Sequence, residues 1–416
     1  MPSSLIALSN FISYAHLIMD SLTYHTSAAI NHFKKITKII YILTATNFWY
    51  EDIELPSVFV KINNISKLLE ILIITLVVTG IGARYTQDGN LTEKQNTDVL
   101  MKSLSSFFVY AVYGCTVYHE EGIKELLLTL TVTLKGMFND EKVERMMIKK
   151  TYQYLMGLIF VGCCPMVAYG VEGAVNALTS NATFTTIIPI WPDLEDRSHF
   201  AGFARILIYI VWLLLVAHVV CIYSVIISVS ICLGHQYANL CEYFLSLHDI
   251  FDGEGRIEEM ETRYENAVRD GIKMHCITLR CVNQLQRTCS VAYSGQVIIN
   301  VCVMLLLMIQ MMQTERSLVQ LAPIVFMGTG VLVSSGLIIW SAGDITFEAQ
   351  RLPTAMFHSG WYNCCGNSVR VRKMITIAMV QAQQPVVIKG LGIIELSYNS
   401  YVAIVKSSYS VFSVIY

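Results

Sequence analysis

Seven stretches of this chain are apolar over roughly twenty residues or more, the length a helix needs to cross the hydrocarbon core of a bilayer. They run over Asn64–Arg84, Val99–Tyr118, Tyr152–Val171, Ala201–Leu233, Ser290–Gln313, Leu318–Ala342 and Val386–Tyr416. Hydrocarbon offers no hydrogen-bond partner, so each run must pair its own backbone, which a helix does. Of the 416 residues, 54% are hydrophobic and 14% charged, whereas a soluble protein carries roughly a quarter charged residues. The sequence therefore predicts an all-α membrane protein with seven transmembrane helices in one integrated bundle spanning residues 1–416. The net charge of −2 points to no nucleic-acid partner. No basic region precedes the apolar residues of the first twenty, so a cleaved signal peptide is not expected.

Short cytoplasmic loops retain Lys and Arg, and the chain is strongly biased in this respect. One set of connections holds Lys34, Lys35, Lys38, Lys61 and Lys67, then Lys124, Lys135, Lys142, Arg145, Lys149 and Lys150. The same set holds Arg256, Arg263, Arg269, Lys273, Arg280 and Arg287, then Arg351, Arg370, Arg372 and Lys373. The opposite side has only Arg84, Lys94, Lys102, Arg197, Arg205 and Arg316. The bias predicts a cytoplasmic N-terminus and, after seven crossings, an extracellular Tyr416. The sequons at Asn90 and Asn181 then fall in outside loops and are the expected glycosylation sites; the one at Asn64 falls at the inner edge and should be silent. A G-protein-coupled receptor ends inside, so this orientation argues against that reading.

No enzyme constellation is present: no phosphate-binding loop, no zinc-protease motif, no nucleophile elbow and no paired carboxylates set in a cavity. All twelve cysteines fall in spans or inside loops, so no disulfide framework is expected. Cys276, Cys281 and Cys289 with His275 lack zinc-finger spacing and read as packing residues. No metal and no cofactor are predicted. His218 lies in the middle of the fourth run; it is either functional, as ionisable residues in bilayers often are, or a neutral hydrogen-bonded core residue, which is cheaper at pH 7.

Between the spans, Glu120–Lys150 places Leu126, Leu127, Leu130 and Leu134 at helical spacing and predicts a helix continuing below the membrane. His235–Arg287 is rich in both charges and predicts a long helix pair turning near Asp252–Gly255. Arg370 to Gln384 reads as a short helix ending before Pro385, which lacks a backbone donor. Gly328, Gly330 and Gly336 permit close helix approach in the sixth run.

In the last run Ser400, Ala403, Ser407, Ser410 and Val414 share one helical face. A membrane helix with a narrow small and polar stripe either packs tightly on another helix or lines water. Glu395, Asn399 and Lys406 share a second face, read as a subunit contact. The chain from Trp361 through Arg372-Lys373-Met374 and Gln384-Pro385 to Ser408-Tyr-Ser-Val-Phe412 resembles the insect odorant receptors. The second outside loop, with Pro189-Ile-Trp191-Pro192-Asp193, resembles that family too and reads as a lid.

The resemblance implies a subunit of a tetrameric ligand-gated cation channel in which helix seven lines the pore. It implies a ligand pocket in the outer halves of helices two to six. Those halves offer Leu104, Phe107, Phe108, Phe160, Cys163, Val167, Phe203, Leu207, Ile210, Met308, Phe326 and Thr329, none of them charged. Residues 234–289 and 343–385 would form the cytoplasmic anchor that holds four subunits together. Val414 matches the position of the valine that constricts the pore in family members, so it is the expected gate above the Ser400, Ala403, Ser407 and Ser410 rings. The inside loop His235–Arg287 is shorter than the co-receptor's, which implies an odour-tuning subunit in a heterotetramer with the odorant receptor co-receptor. The expected ligand is a small apolar volatile such as a terpenoid or ester, and the expected site is the plasma membrane of olfactory sensory neurons, among membrane lipid. A gustatory-type homotetrameric channel and, less favoured, a G-protein-coupled receptor remain the alternatives.

Overall fold

The computed structural model describes residues 27–44, 46–62, 65, 71, 82, 91–179, 183–188, 190–253, 256–314, 317–364 and 369–415. Of the first expected span only residues 65, 71 and 82 are described, each helical, and both Asn90 and Asn181 lie outside the described residues. Among the described residues, five helices are long and apolar enough to cross a membrane.

Among the described residues the first helix is α1 (Ala28–Thr44), which a search for membrane runs alone did not anticipate. It is amphipathic: Ala29, Phe33, Thr37, Ile40 and Thr44 face inward, while Ile39 and Leu43 face out. The hydroxyls of Thr37 and Thr44 donate to the carbonyls four residues earlier, each at 2.9 Å, so they are buried without a lost hydrogen bond. The N-terminal amide of Ala29 donates to Glu144 Oε1 at 2.9 Å, where a carboxylate also complements the helix dipole. The segment after α1 buries Phe48 and Trp49 completely, and the Lys34 hydrogen bond holds the Glu51 carboxyl below its ordinary range.

Helix α2 (Glu93–Tyr118) starts from a capping box in which Thr92 and Gln95 satisfy each other's amides. It leads into α3 (Glu120–Leu128), a π-helical turn over Thr129–Thr133, and α4 (Leu134–Met137). Leu126, Leu127, Leu130 and Leu134 are buried as their spacing predicts, but the helix does not run on to Lys150. It breaks at Phe138, which is extended, because Asp140 caps a new helix through Val143 N at 2.9 Å.

Four further helices follow: α5 (Glu141–Thr179), α6 (His199–Ser246), α7 (Ile257–Gln313) and α8 (Leu318–Phe357). Their lengths of 39, 48, 57 and 40 residues far exceed the roughly 20 that a bilayer needs, so all project well beyond it. The α6 and α7 helices join through a 3₁₀ turn at Leu247–Phe251, next to the glycines that end the charged helix pattern. Helix α6 is the axis of the bundle: every residue from Cys221 to Leu233 is buried, so this stretch has no amphipathic side. Ser230 Oγ bonds the carbonyl of Ile226 at 2.7 Å and the Tyr293 hydroxyl at 2.8 Å, which pairs α6 with α7. Helix α5 crosses α8 where a Cβ on Gly330 would lie 3.0 Å from the Val161 carbonyl oxygen.

The end of the chain differs most from the sequence expectation. Helix α9 (Val369–Ala382) stops before Pro385 as predicted, but Val386–Tyr416 is not one helix. Strands β1 (Lys389–Gly390) and β2 (Ile394–Glu395) form an antiparallel hairpin, and the last helix α10 runs over Tyr398–Ile415. The hairpin's loop is residues 391–393, in which Leu391 and Gly392 take the left-handed φ values of 54° and 73° and Ile393 N donates to the Gly390 carbonyl at 3.3 Å. The hairpin is clasped to α7: Lys389 N donates to Gln286 Oε1 at 2.7 Å, and Leu391 N to Ser294 Oγ at 2.8 Å. Lys389 therefore sits on a strand, and Glu395 does not share a helical face with Asn399 and Lys406.

Candidate functional site

Helices α2, α5, α6, α7 and α8 line a cavity of about 160 Å³, which Lys102 reaches at the end where it bonds Thr186 of the 183–198 segment. Its wall is largely apolar, with Met101, Val109, Leu158, Pro165, Met166, Leu215, Val219, Ile299, Val303, Met327 and Val331. A few polar groups converge on it: Lys102, Ser106, Tyr169, Trp212, Tyr223, Gln296 and Ser334. A mostly apolar wall with few, well-placed polar groups is the usual form of a small-molecule site. Gln296 is fixed by its own amide, which donates to Ser335 Oγ at 2.7 Å, and Asn300 donates to the same oxygen at 2.8 Å.

One end of the cavity is closed by charge. Lys102 is buried, and its ammonium pairs with Asp98 Oδ2 at 2.5 Å, one helical turn away. The same ammonium donates to the Thr186 carbonyl of the overlying segment, and lies 4.3 Å from the Tyr169 ring centre and 5.3 Å from that of Trp212. Beyond this partition lies a polar vestibule of about 500 Å³, lined by Lys94, Gln95, Asp98, Glu172, Asn176, Gln310, Gln313 and Gln320. Lys94 and Glu172 pair across it at 2.5 Å. The overlying segment is pinned to the start of α6, where Arg205 donates to the carbonyls of Asp193 at 2.5 Å and Asp196 at 2.8 Å. The vestibule is lined from this segment by Thr185, Thr186 and Ile188, while Trp191 packs against Phe200 at the start of α6.

None of the twelve ligand residues expected from the sequence lines this cavity. Phe107, Phe160, Cys163, Val167, Phe203, Leu207, Ile210, Phe326 and Thr329 are exposed on the outside of the chain. Leu104, Phe108 and Met308 are half-buried between helices, with Phe108 against the cluster of Met101, Val303 and Leu307. Cys163 and Val167 do meet in a second recess of about 390 Å³, between α1, α5 and α6 beside Ile40 and Leu155. The difference has a physical cause: in a membrane span, lipid selects apolar side chains as strongly as a ligand does. The signal that marks the interior is the opposite one. Asp98 and Lys102, spaced four apart, and Gln296 and Asn300 are polar residues that hydrocarbon would not tolerate.

The α10 stripe lies at the edge of an exposed arc that also carries Val402, Lys406 and Tyr409. Ala403, Ser407 and Ser410 are exposed, Ser400 is half-buried, and the Val414 side chain lies outside the described residues. Ile404 and Ser408 on the adjoining side are buried. Ser400 Oγ accepts from Ser397 N at 2.8 Å and so supports the first turn of the helix. Stacking of Trp340 on Tyr398, its edge contact with Tyr401, and the bond from Tyr401 Oη to the Leu332 carbonyl at 3.0 Å hold α10 against α8. Asp344 of α8 accepts from Tyr398 Oη at 2.5 Å and pairs with Lys150 of α5 at 2.6 Å.

The remaining candidates have structural roles. His218 is buried, and its Nε2 bonds the Leu43 carbonyl at 2.6 Å, which ties α6 to α1. Cys281 and Cys289 are buried and Cys276 is exposed, so the three do not converge on one point. Among the described residues, the His, Cys and acidic side chains that do cluster are His248, Asp249 and Asp252, at the exposed turn between α6 and α7.

Comparison with known proteins agrees with this architecture. A family model described as 7tm Odorant receptor matches residues 98–409. Odorant receptor 33c of Drosophila melanogaster is 26% identical over 189 residues, 45% of this chain and 47% of that protein, so the match spans about half of the relative's length. Two solved structures of the olfactory receptor OR5 from Machilis hrabei share the fold. The complex with eugenol aligns with a TM-score of 0.74 at 10% identity, over 93% of this chain and 99% of that one. The other structure gives 0.71 at 12% identity, over 94% of this chain and 99% of that one. The match of the family model across most of the chain, together with the shared fold, makes this protein a member of the insect odorant receptor family.

Proposed function

We propose that this chain is an odour-tuning subunit of an odorant-gated cation channel. In this reading it binds a small uncharged volatile, such as a terpenoid or ester, and opens a pore lined by α10 in a heterotetramer with the odorant receptor co-receptor. The observation that carries it is the pairing of a mostly apolar cavity between the helices with a last helix whose Ala403, Ser407 and Ser410 are exposed on the surface of its own subunit. Burial of an apolar ligand would supply binding energy in proportion to the area removed from water. Helix α8 both walls the cavity at Met327, Val331 and Ser334 and holds α10 through Trp340 and Asp344, so a ligand-induced shift has a short mechanical path to the pore.

The N-terminus is cytoplasmic and the C-terminus extracellular in this account, at the plasma membrane of olfactory sensory neurons, and the long ends of α5 to α8 with α9 form the anchor between subunits. The test is odour-evoked current in cells expressing the chain with and without the co-receptor. Current only with the co-receptor supports the proposal. Current from the chain alone supports a gustatory-type homotetramer, and current that requires G-protein signalling supports the receptor alternative.

A further inference from the structure

The partition at the end of the cavity is a cation-binding cage whose occupant comes from the chain itself. A carboxylate (Asp98), a backbone carbonyl (Thr186) and two aromatic rings (Tyr169, Trp212) surround one ammonium, that of Lys102. This is the set of groups that recognises an alkylammonium ligand: opposite charge, a hydrogen-bond acceptor and π faces within about 6 Å. Here the ammonium arrives on a buried lysine that also lines the cavity. Asp98 and Tyr169 face the vestibule as well, so the cage stands where a ligand would pass from one space to the other. Tyr169 Oη and Gln310 Nε2 each lie 3.5 Å from Asp98 Oδ1, which further orients the carboxylate.

We propose that Lys102 is a specificity-determining residue that closes this cavity to protonated amines and restricts it to uncharged ligands. The inference rests on the reading of the cavity as the odorant site. An alkylammonium entering the cavity would meet a like charge at close range with its only counter-ion already engaged. A burial cost without a partner ion excludes it. An uncharged volatile meets no such barrier, because the Lys102–Asp98 pair is internally neutral. Removing the ammonium while keeping an apolar stem of similar length would leave Asp98, Tyr169 and Trp212 as an open amine site.

The experiment compares octylamine with octane and octanal on the full chain co-expressed with the co-receptor. The wild type should show no octylamine current. Lys102→Met should respond to octylamine at concentrations at least tenfold lower than any that affect the wild type, since one desolvated cation–π and ion-pair site supplies a factor of that size. The double variant Lys102→Met/Asp98→Asn, which leaves no unpaired charge, should lose that response while still reaching the cell surface. A third arm adds Met327→Trp to Lys102→Met: filling the cavity should abolish the amine current, and a current that persists shows that amines act elsewhere and overturns the inference. Octylamine current in the wild type, or none in Lys102→Met at normal surface level, also overturns it. The cavity reading fails separately, if Met327→Trp in the wild-type background leaves octanal and other neutral volatiles at full potency.

Discussion

Tyr398 Oη donates to Asp344 Oδ1 at 2.5 Å, and this contact joins the first turn of the last helix to the helix that walls the cavity. Asp344 uses its other oxygen on Lys150, so three helices meet at one carboxylate. Tyr398→Phe removes the hydrogen bond and leaves the ring that stacks on Trp340. The loss should raise the half-maximal odorant concentration roughly tenfold, the factor that one hydrogen bond to a charged group supplies. Unit conductance should be unchanged, which single-channel recording checks.

The cavity makes a second prediction that reverses the sequence-based expectation. Phe107 is 59% exposed and faces away from the cavity, so Phe107→Ala should leave odorant potency within about twofold. Trp212→Ala, which opens the buried cage wall, should cost at least tenfold in potency, because truncating a buried aromatic removes several kcal/mol of packing, about 3 or more. Concentration–response curves on the two variants, with surface labelling, decide between these residues.

A third concerns the base of the bundle. Glu144 is buried and accepts from Ala29 N at 2.9 Å and Asn139 Nδ2 at 2.8 Å, while Lys135 Nζ lies 3.5 Å away. Glu144→Ala strands the α1 amide and removes the carboxylate beside Lys135, which keeps its bond to Asn139 Oδ1 at 2.8 Å, and should cost about 2 kcal/mol of stability. Thermal unfolding of the purified protein should show the loss. Limited proteolysis should show cleavage within residues 28–44 before any other region.

How much of this could be read in advance depends on which physical signal a residue carries. The second to sixth spans were legible because length and apolarity are set by the bilayer itself, and the helix pair either side of Leu247–Phe251 because its charges and glycines mark a solvated turn. The centre of α6, buried on all faces, looks like any lipid-facing run, so nothing in its pattern says that it is the axis. Phe107 and Phe203 misled for the same reason: apolar side chains in a span do not say which way they point. Lys102 was legible in kind, as an ionisable residue near a membrane span, but it counts there as outside charge, and nothing in the charge pattern singles out Asp98 as its partner. The hairpin at Lys389–Glu395 was hidden because Val386, Val387 and Ile388 extend the apolar run although Gly390 and Gly392 interrupt it.

A fourth prediction concerns the gate. Val414→Ser should raise ligand-independent current, because a hydroxyl ring wets where an isopropyl ring dewets. Ser410→Val should lower unit conductance by adding an apolar ring. Both are read by recording without and then with odorant.

The central claim is that α10 carries the ion path on its exposed Ser407 and Ser410 side, with Ile404 and Ser408 buried on the adjoining side. The most direct measurement is the rate at which an extracellular, charged thiol reagent changes odour-evoked current in Ser410→Cys and Ser407→Cys, with Ile404→Cys as the buried comparison. The account predicts rapid block at 410 and 407, faster with odorant present, and none at 404. Equal reactivity at all three positions, or unaltered current after modification at 410 and 407, would contradict it.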